Sequence, residues 1–183
     1  MRHGLLELNI KYDDAGYADL KNVLKTKVMK GTSINNVKQV VEENDKERFN
    51  IYFKNGSYYI RANQGHSDEV AKKLDPEKIY KKVADPDEFN MCVHGTTREA
   101  ILIIKNEGLK PMSRSHIHFA IGLPKDNVKS GIRGSSNVYV FIDLKKAIND
   151  GIDFYVSKNN VLLSKGKNGI LAPEYFTEIR YVK

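Results

Sequence analysis

Asn55-Gly56 separates two runs whose apolar residues alternate: Phe49, Ile51 and Phe53 before it, Tyr58 and Ile60 after it. A two-residue hairpin turn needs positive φ at both central positions, and this pair tolerates that geometry well, so residues 49–60 are expected to form a β-hairpin. Upstream, Leu20, Val23, Leu24 and Val28 recur at helical spacing. So do Ile34, Val37, Val40 and Val41, behind the N-cap candidates Thr32 and Ser33. Two helices followed by a hairpin is a winged-helix-like order, a layout common among nucleic-acid modules.

The pattern then changes. Residues 70–90 hold two prolines and balanced charge, and are expected to connect two lobes, 1–69 and 91–183. From Met91 the apolar runs read mainly as strands, at 91–94, 117–121, 138–142, 154–156, 161–163 and 175–181. One helix stands out there. Thr96 and Glu99 fit a capping box, and Gly108 is placed to end the helix. The fold class expected is α+β.

At 183 residues with 40% hydrophobic content, the chain can bury one large core or two small ones. Its single cysteine, Cys92, excludes an internal disulfide framework. No apolar run long enough to span a bilayer is present, and the first twenty residues lack a leader-like apolar core, so no membrane association and an intracellular site, cytoplasmic or nuclear, are expected. The net charge of +7 suits an anionic partner. It is unevenly spread: residues 91–183 carry 14 basic and 8 acidic side chains, residues 1–69 carry 11 and 10. A near-neutral first lobe weakens a simple duplex-binding role.

Chemistry concentrates in residues 60–67, Ile-Arg-Ala-Asn-Gln-Gly-His-Ser, which follow directly on the hairpin. A guanidinium (Arg61), two amides (Asn63, Gln64), a permissive glycine (Gly65) and an imidazole (His66) suit a polyanion site better than a core. All five histidines lie in polar, glycine-containing or arginine-flanked stretches. His94-Gly95-Thr96 is expected to end a strand and open the capped helix, where outward backbone amides favour a phosphate or carboxamide. His116 and His118 share a strand face and could begin a zinc site, but no further ligand has suitable spacing, so no metal is expected. Ser130-Gly131-Ile132-Arg133-Gly134 is a flexible, cationic loop. Arg2 and His3 sit where fraying is the default. Neither a Gly-x-Gly-x-x-Gly after a strand nor a phosphate-binding Gly-x-x-x-x-Gly-Lys-Ser/Thr loop occurs.

Taken in order, Arg2-His3-Gly4, Ile60–Ser67, His94-Gly95-Thr96, Arg114-Ser115-His116-Ile117-His118, Ser130-Gly131-Ile132-Arg133 and Ser157–Gly166 resemble the tRNA 2′-phosphotransferase family along nearly the whole chain. The resemblance implies a winged-helix-like RNA-binding lobe joined to an NAD-binding lobe of the ADP-ribosyltransferase type, and a monomer. The activity implied is NAD-dependent removal of an internal 2′-phosphate from spliced tRNA. The phosphate first attacks the anomeric carbon of the nicotinamide ribose and expels nicotinamide. The ribose 2″-hydroxyl then attacks that phosphate in the 2′-phospho-ADP-ribosylated RNA intermediate, releasing 2′-hydroxyl RNA and ADP-ribose 1″,2″-cyclic phosphate.

By the same resemblance Arg2, His3, Arg61 and Arg133 are the catalytic set. Arg2, Arg61 and Arg133 would hold the RNA phosphate, joined by Asn63, Gln64 and His66, and His3 would orient or deprotonate the 2″-hydroxyl. Contacts to NAD are implied for His94, Gly95, Thr96, Arg114, His116, His118, Ser130, Gly131 and Val161. Protein-modifying relatives keep a glutamate where Val161 falls, and an apolar residue suits a nucleophile that brings its own charge. Family members carry about one helix ahead of the Arg-His pair, whereas Met1 directly precedes Arg2 here.

Two other readings stay open at this point. One is an NAD-dependent ADP-ribosyltransferase acting on terminal phosphates of nucleic acids. The other is a winged-helix RNA-binding protein with a degenerate transferase lobe, against which the intact Arg61, His66, Arg133 and His118 set counts.

Overall fold

The structure, a computed structural model, describes residues 2–126, 128 and 131–182. The chain divides into two compact units, Met1–Ile79 and Tyr80–Lys183.

In the first unit, α1 (Gly4–Glu7) leads to β1 (Ala18–Asp19), α2 (Leu20–Leu24), a 3₁₀ turn (Lys27–Met29) and α3 (Ile34–Glu42). The hairpin follows as β2 (Phe49–Lys54) and β3 (Ser57–Ala62), then α4 (Asp68–Ala71) and α5 (Pro76–Ile79). The antiparallel sheet has the order β1-β3-β2. Asn55 and Gly56 take φ of 49° and 77°, the paired positive values the hairpin turn was expected to need. Asp19 caps α2 by accepting the Lys21 amide at 2.7 Å, and Ser33 with Asn36 forms a reciprocal capping box on α3. Leu5, Leu20, Val23, Val37, Ile60 and Val70 form the core. This helix–helix–hairpin layout is a winged-helix arrangement. Two apolar residues depart from their expected helical faces: Val28 falls in the 3₁₀ turn and is 71% exposed, and Val40 on α3 is 59% exposed.

Residues 70–90, expected as a connector, carry structure of their own. Val70 is fully buried in the first core, α5 closes the first unit, and β4 (Tyr80–Lys82) belongs to the sheet of the second.

That second sheet gathers β5 (Val93–Thr96), β6 (Ile117–Ala120), β7 (Val138–Ile142), β8 (Phe154–Ser157), β9 (Val161–Ser164) and β10 (Phe176–Tyr181) with β4, in the order β10-β7-β5-β6-β9-β8-β4. Every paired neighbour is antiparallel. Helices α6 (Arg98–Glu107) and α7 (Leu144–Asn149) supply Ile101, Leu144 and Ala147 to the core with Phe119, Val140 and Phe154. Full burial of each large apolar side chain contributes about 1.5–3 kcal/mol. Segregated helices and antiparallel sheets make the fold α+β, as expected.

One boundary is corrected. Thr97, not Thr96, caps α6, its hydroxyl accepting the Ala100 amide at 3.4 Å. Thr96 is buried in β5, and its carbonyl accepts the Asn137 amide at 3.0 Å. His94-Gly95-Thr96 therefore lies within a strand and does not open the helix. Gly108 ends α6 at φ 82° and ψ 179°, a region open essentially to glycine alone.

Candidate active site

Within the first unit, β3 delivers Arg61 to a buried position, 8% exposed. Its Nη1 donates to the carbonyls of Ala15 and Lys78, each at 3.1 Å, and its guanidinium lies 4.6 Å from the centre of the Tyr17 ring. No carboxylate pairs with it among the described residues, and its Nε is buried without a hydrogen-bond partner there. A cation held only by neutral groups in a desolvated place is costly unless an anion joins it.

The neighbours follow from backbone geometry. Gly16, at φ 80°, lets the chain pass close to both Arg61 and His66: a Cβ there would stand 3.8 Å from His66 Nε2 and 4.0 Å from Arg61 Cβ. Gly65, at φ 79°, packs against Arg2, whose Cζ would be 3.3 Å from an added Cβ. The Arg2 carbonyl accepts the Ser67 amide at 3.1 Å, so Arg2 is tied to the 60–67 segment, contrary to the fraying expected of it. His3 is exposed at the start of α1. Asn63, like Arg61, is buried. Its Nδ2 donates to the Glu47 carbonyl at 2.6 Å and its own amide to Arg48 at 2.9 Å, so it pins the approach to β2. Gln64 is buried, with no hydrogen-bond partner for Oε1 among the described residues.

In the second unit the histidines form a relay of hydrogen bonds. His94 Nδ1 stands 2.9 Å from the His118 carbonyl, His118 Nδ1 stands 2.9 Å from the His116 carbonyl, and His116 Nδ1 lies 2.8 Å from Ser115 Oγ. A carbonyl only accepts, so His94 and His118 each carry a proton on Nδ1. The β5–β6 ladder has one register pair, Val93↔Ala120, and the His94 ring bridges the strands beyond it. Burial pulls the His94 imidazole below its ordinary range, and Arg133 pushes the same way, while the bond to His118 opposes both. His94 is neutral at neutral pH.

Residues 131–136 lie on these strands. Gly131, at φ 99°, sits so close to Ala120 that a Cβ would fall 2.5 Å from the Ala120 Cα. At Gly95 a Cβ would fall 2.7 Å from Ile132. Arg133 is exposed. Arg114 is half-buried, and burial first, then the charge of Arg133, lowers its pKa. Val161 is fully buried opposite Ala120, and its amide donates to Ser157 Oγ at 3.1 Å. Ser130 lies outside the described residues.

Thus Arg2, Arg61, Gln64 and His66 gather in the first unit, and His94, Arg114, His116, His118, Arg133 and Val161 in the second. Tyr17 and Gly16 touch Arg61 without having been singled out in the sequence, and Ser115 bonds His116. Only the serine beside His116 had a sequence signal, since a hydroxyl next to an imidazole can fix its tautomer. Among the described residues, no three or more His, Cys, Asp or Glu side chains gather to hold a metal, and no helix is long and apolar enough to cross a membrane.

One unit thus carries a buried guanidinium that no carboxylate matches among the described residues, and the other a sheet whose histidines are joined by hydrogen bonds. Comparison with known proteins supplies the class. Residues 1–166 match the family described as RNA 2′-phosphotransferase, Tpt1 / KptA family, and the chain belongs to it. It is 37% identical to tRNA 2′-phosphotransferase 1 of Danio rerio, over 100% of this chain and 82% of the relative. It is 39% identical to tRNA 2′-phosphotransferase 1 of Homo sapiens, over 97% and 70%. A longer Schizosaccharomyces pombe relative named for the same activity is 37% identical over 98% of this chain, which spans 48% of that protein.

Proposed function

We propose that this chain is an NAD-dependent RNA 2′-phosphotransferase, which removes an internal 2′-phosphate from RNA and leaves a 2′-hydroxyl. The observation that carries the reading is Arg61: buried, fixed by two carbonyls and a tyrosine face, and matched by no carboxylate among the described residues. Family membership supplies the class of anion. A branched phosphoryl group offers several oxygens to guanidiniums that remain charged at any working pH.

Arg2 and Arg61 hold the RNA phosphate, with Gln64 and His66 beside them and Asn63 positioning the loop. Arg133 stabilises the charge that develops on the phosphoryl oxygens during transfer. His3 orients or deprotonates the hydroxyl that attacks in the second step. NAD, the co-substrate, supplies the ribose carbon and hydroxyl that take over the phosphate. The residues present fit it: His94 offers an acceptor to ribose hydroxyls or a carboxamide with His118 beside it, Gly95 and Thr96 a close backbone, and Arg114 a cation for the pyrophosphate. His116, Gly131 and Val161 shape the same region, with Ser130 beside them in sequence. No metal is assigned a part. The substrate is RNA bearing an internal 2′-phosphate, such as a tRNA splice junction, and the chain acts as a monomer inside the cell.

The test is incubation with NAD and an oligonucleotide carrying one internal 2′-phosphate, with the 2′-hydroxyl oligonucleotide as control. Nicotinamide and ADP-ribose 1″,2″-cyclic phosphate are the expected products. Loss of phosphate without NAD, or no loss with it, overturns the reading.

A further inference from the structure

The three-stranded sheet of the first unit has two unlike faces. On one, Ile51 pairs with Ile60 and Phe49 with Ala62, and α2 and α3 pack there. On the other, Asn50 pairs with Arg61 and Tyr52 with Tyr59. Tyr52 and Tyr59 stack with ring centres 5.2 Å apart and planes 18° from parallel. The Tyr17 ring meets Tyr52 edge-on at 4.6 Å, and its hydroxyl donates to Asn50 Oδ1 at 2.5 Å. Arg61 closes the row, its guanidinium over the Tyr17 ring. All three tyrosines are half-buried, so each keeps some ring surface open to solvent.

Such a row is more than a core needs. Aromatic residues on the face that carries the helices would pack a core, but these rings pack on one another and on the arginine. We infer that the row Tyr17–Tyr52–Tyr59 is a stacking platform for the unpaired bases of a single-stranded RNA whose phosphate is held at Arg61. The proposal rests on the RNA-phosphate reading of Arg61 given above.

Three observations select this occupant. The platform is continuous with the proposed phosphate-holding guanidinium, so a strand anchored there has its neighbouring bases at the tyrosines. The first lobe is near neutral in charge, which disfavours duplex binding through phosphates and leaves stacking as the source of affinity. Stacking is also tolerant of sequence, because every base has a π-face, which suits a phosphate that occurs in more than one sequence context. Asp13 and Asp19 stand near the row, yet each serves the backbone, accepting the Tyr17 and Lys21 amides at 2.7 Å. The row itself adds no ionic contact, so the salt dependence of binding should come from the phosphate held at Arg61.

The experiment needs neither NAD nor a 2′-phosphate, so it tests the platform even if the transferase reading fails. Single-stranded 2′-hydroxyl oligonucleotides of two to six nucleotides, and an abasic hexamer of equal charge, are titrated while tyrosine fluorescence is followed; the chain has no tryptophan to mask it. Affinity is expected to rise with length for the base-bearing series only. Tyr52→Ala and Tyr59→Ala each weaken the hexamer about tenfold, within the range reported for single-base stacking, and Tyr→Phe at either site retains binding. In turnover, the same alanine variants should raise KM for a 2′-phosphorylated hexamer more than they lower kcat, and circular dichroism matching that of the parent shows that they fold. Equal binding of the abasic hexamer, a preference for duplex, or alanine variants that bind like the parent each overturns the proposal.

Discussion

His94 has its protonation state set by where it stands. Its Nδ1–H is used by the His118 carbonyl, and burial and Arg133 hold its pKa below the ordinary value. In the unfolded chain the imidazole returns to about 6.5. As pH falls through that value the unfolded state takes up a proton that the folded state refuses, so stability drops with pH and levels off below the depressed folded value. His94→Asn keeps a donor for His118 and removes the titration. Unfolding midpoints in urea from pH 7.5 to 5 should fall more steeply for the parent than for the variant; parallel profiles would contradict the assignment. The clustering of a guanidinium, two amides and an imidazole at Arg61, Asn63, Gln64 and His66 was legible in the sequence. Their burial was not. It depends on Gly16 and Tyr17, some 45 residues earlier, and no local pattern joins those to β3.

At the scale of elements, the 131–136 loop shows what a glycine can determine. Gly131 combines positive φ with backbone contact to Ala120, so Gly131→Ala must lift the loop from β6 and carry Arg133 with it. Gly134 has open space about its Cβ position and no positive φ, and Gly134→Ala serves as the control. The Gly131 variant is expected to lose up to about a hundredfold in kcat/KM, the scale on which small misplacements of a reacting group are felt. The control should stay within about twofold of the parent, an effect under ~0.5 kcal/mol. Equal effects in steady-state turnover would detach Arg133 from the loop's backbone. The same region explains the shifted helix start. Thr96–Glu99 and Thr97 compete for one cap, and the pairing of Thr96 with Val138 in the β5–β7 ladder decides it. Hairpin and helix periods are local and were readable; a contest between a cap and a strand is settled by residues forty positions away.

Across the whole molecule, the two units have hydrophobic cores built from separate residues, and a ligand stabilises the folded state that holds it. The stabilisation follows RT ln(1 + [L]/Kd), about 2.7 kcal/mol at a hundredfold excess over Kd. The proposed NAD contacts fall in the second unit, which also holds the charge excess, 14 basic against 8 acidic side chains in residues 91–183. The proposed base platform falls in the first. Amide exchange under saturating NAD should therefore slow in residues 93–97 and 131–136, as opening there now has to release the ligand. A single-stranded oligonucleotide should instead slow exchange in β2 and β3. Raising the salt concentration should reduce both effects, the NAD effect through the arginines of the second unit and the oligonucleotide effect through the phosphate at Arg61, while the part due to stacked rings persists. NAD protection confined to β2 and β3, or an oligonucleotide effect that vanishes with salt, would reverse the division of labour proposed for the two units.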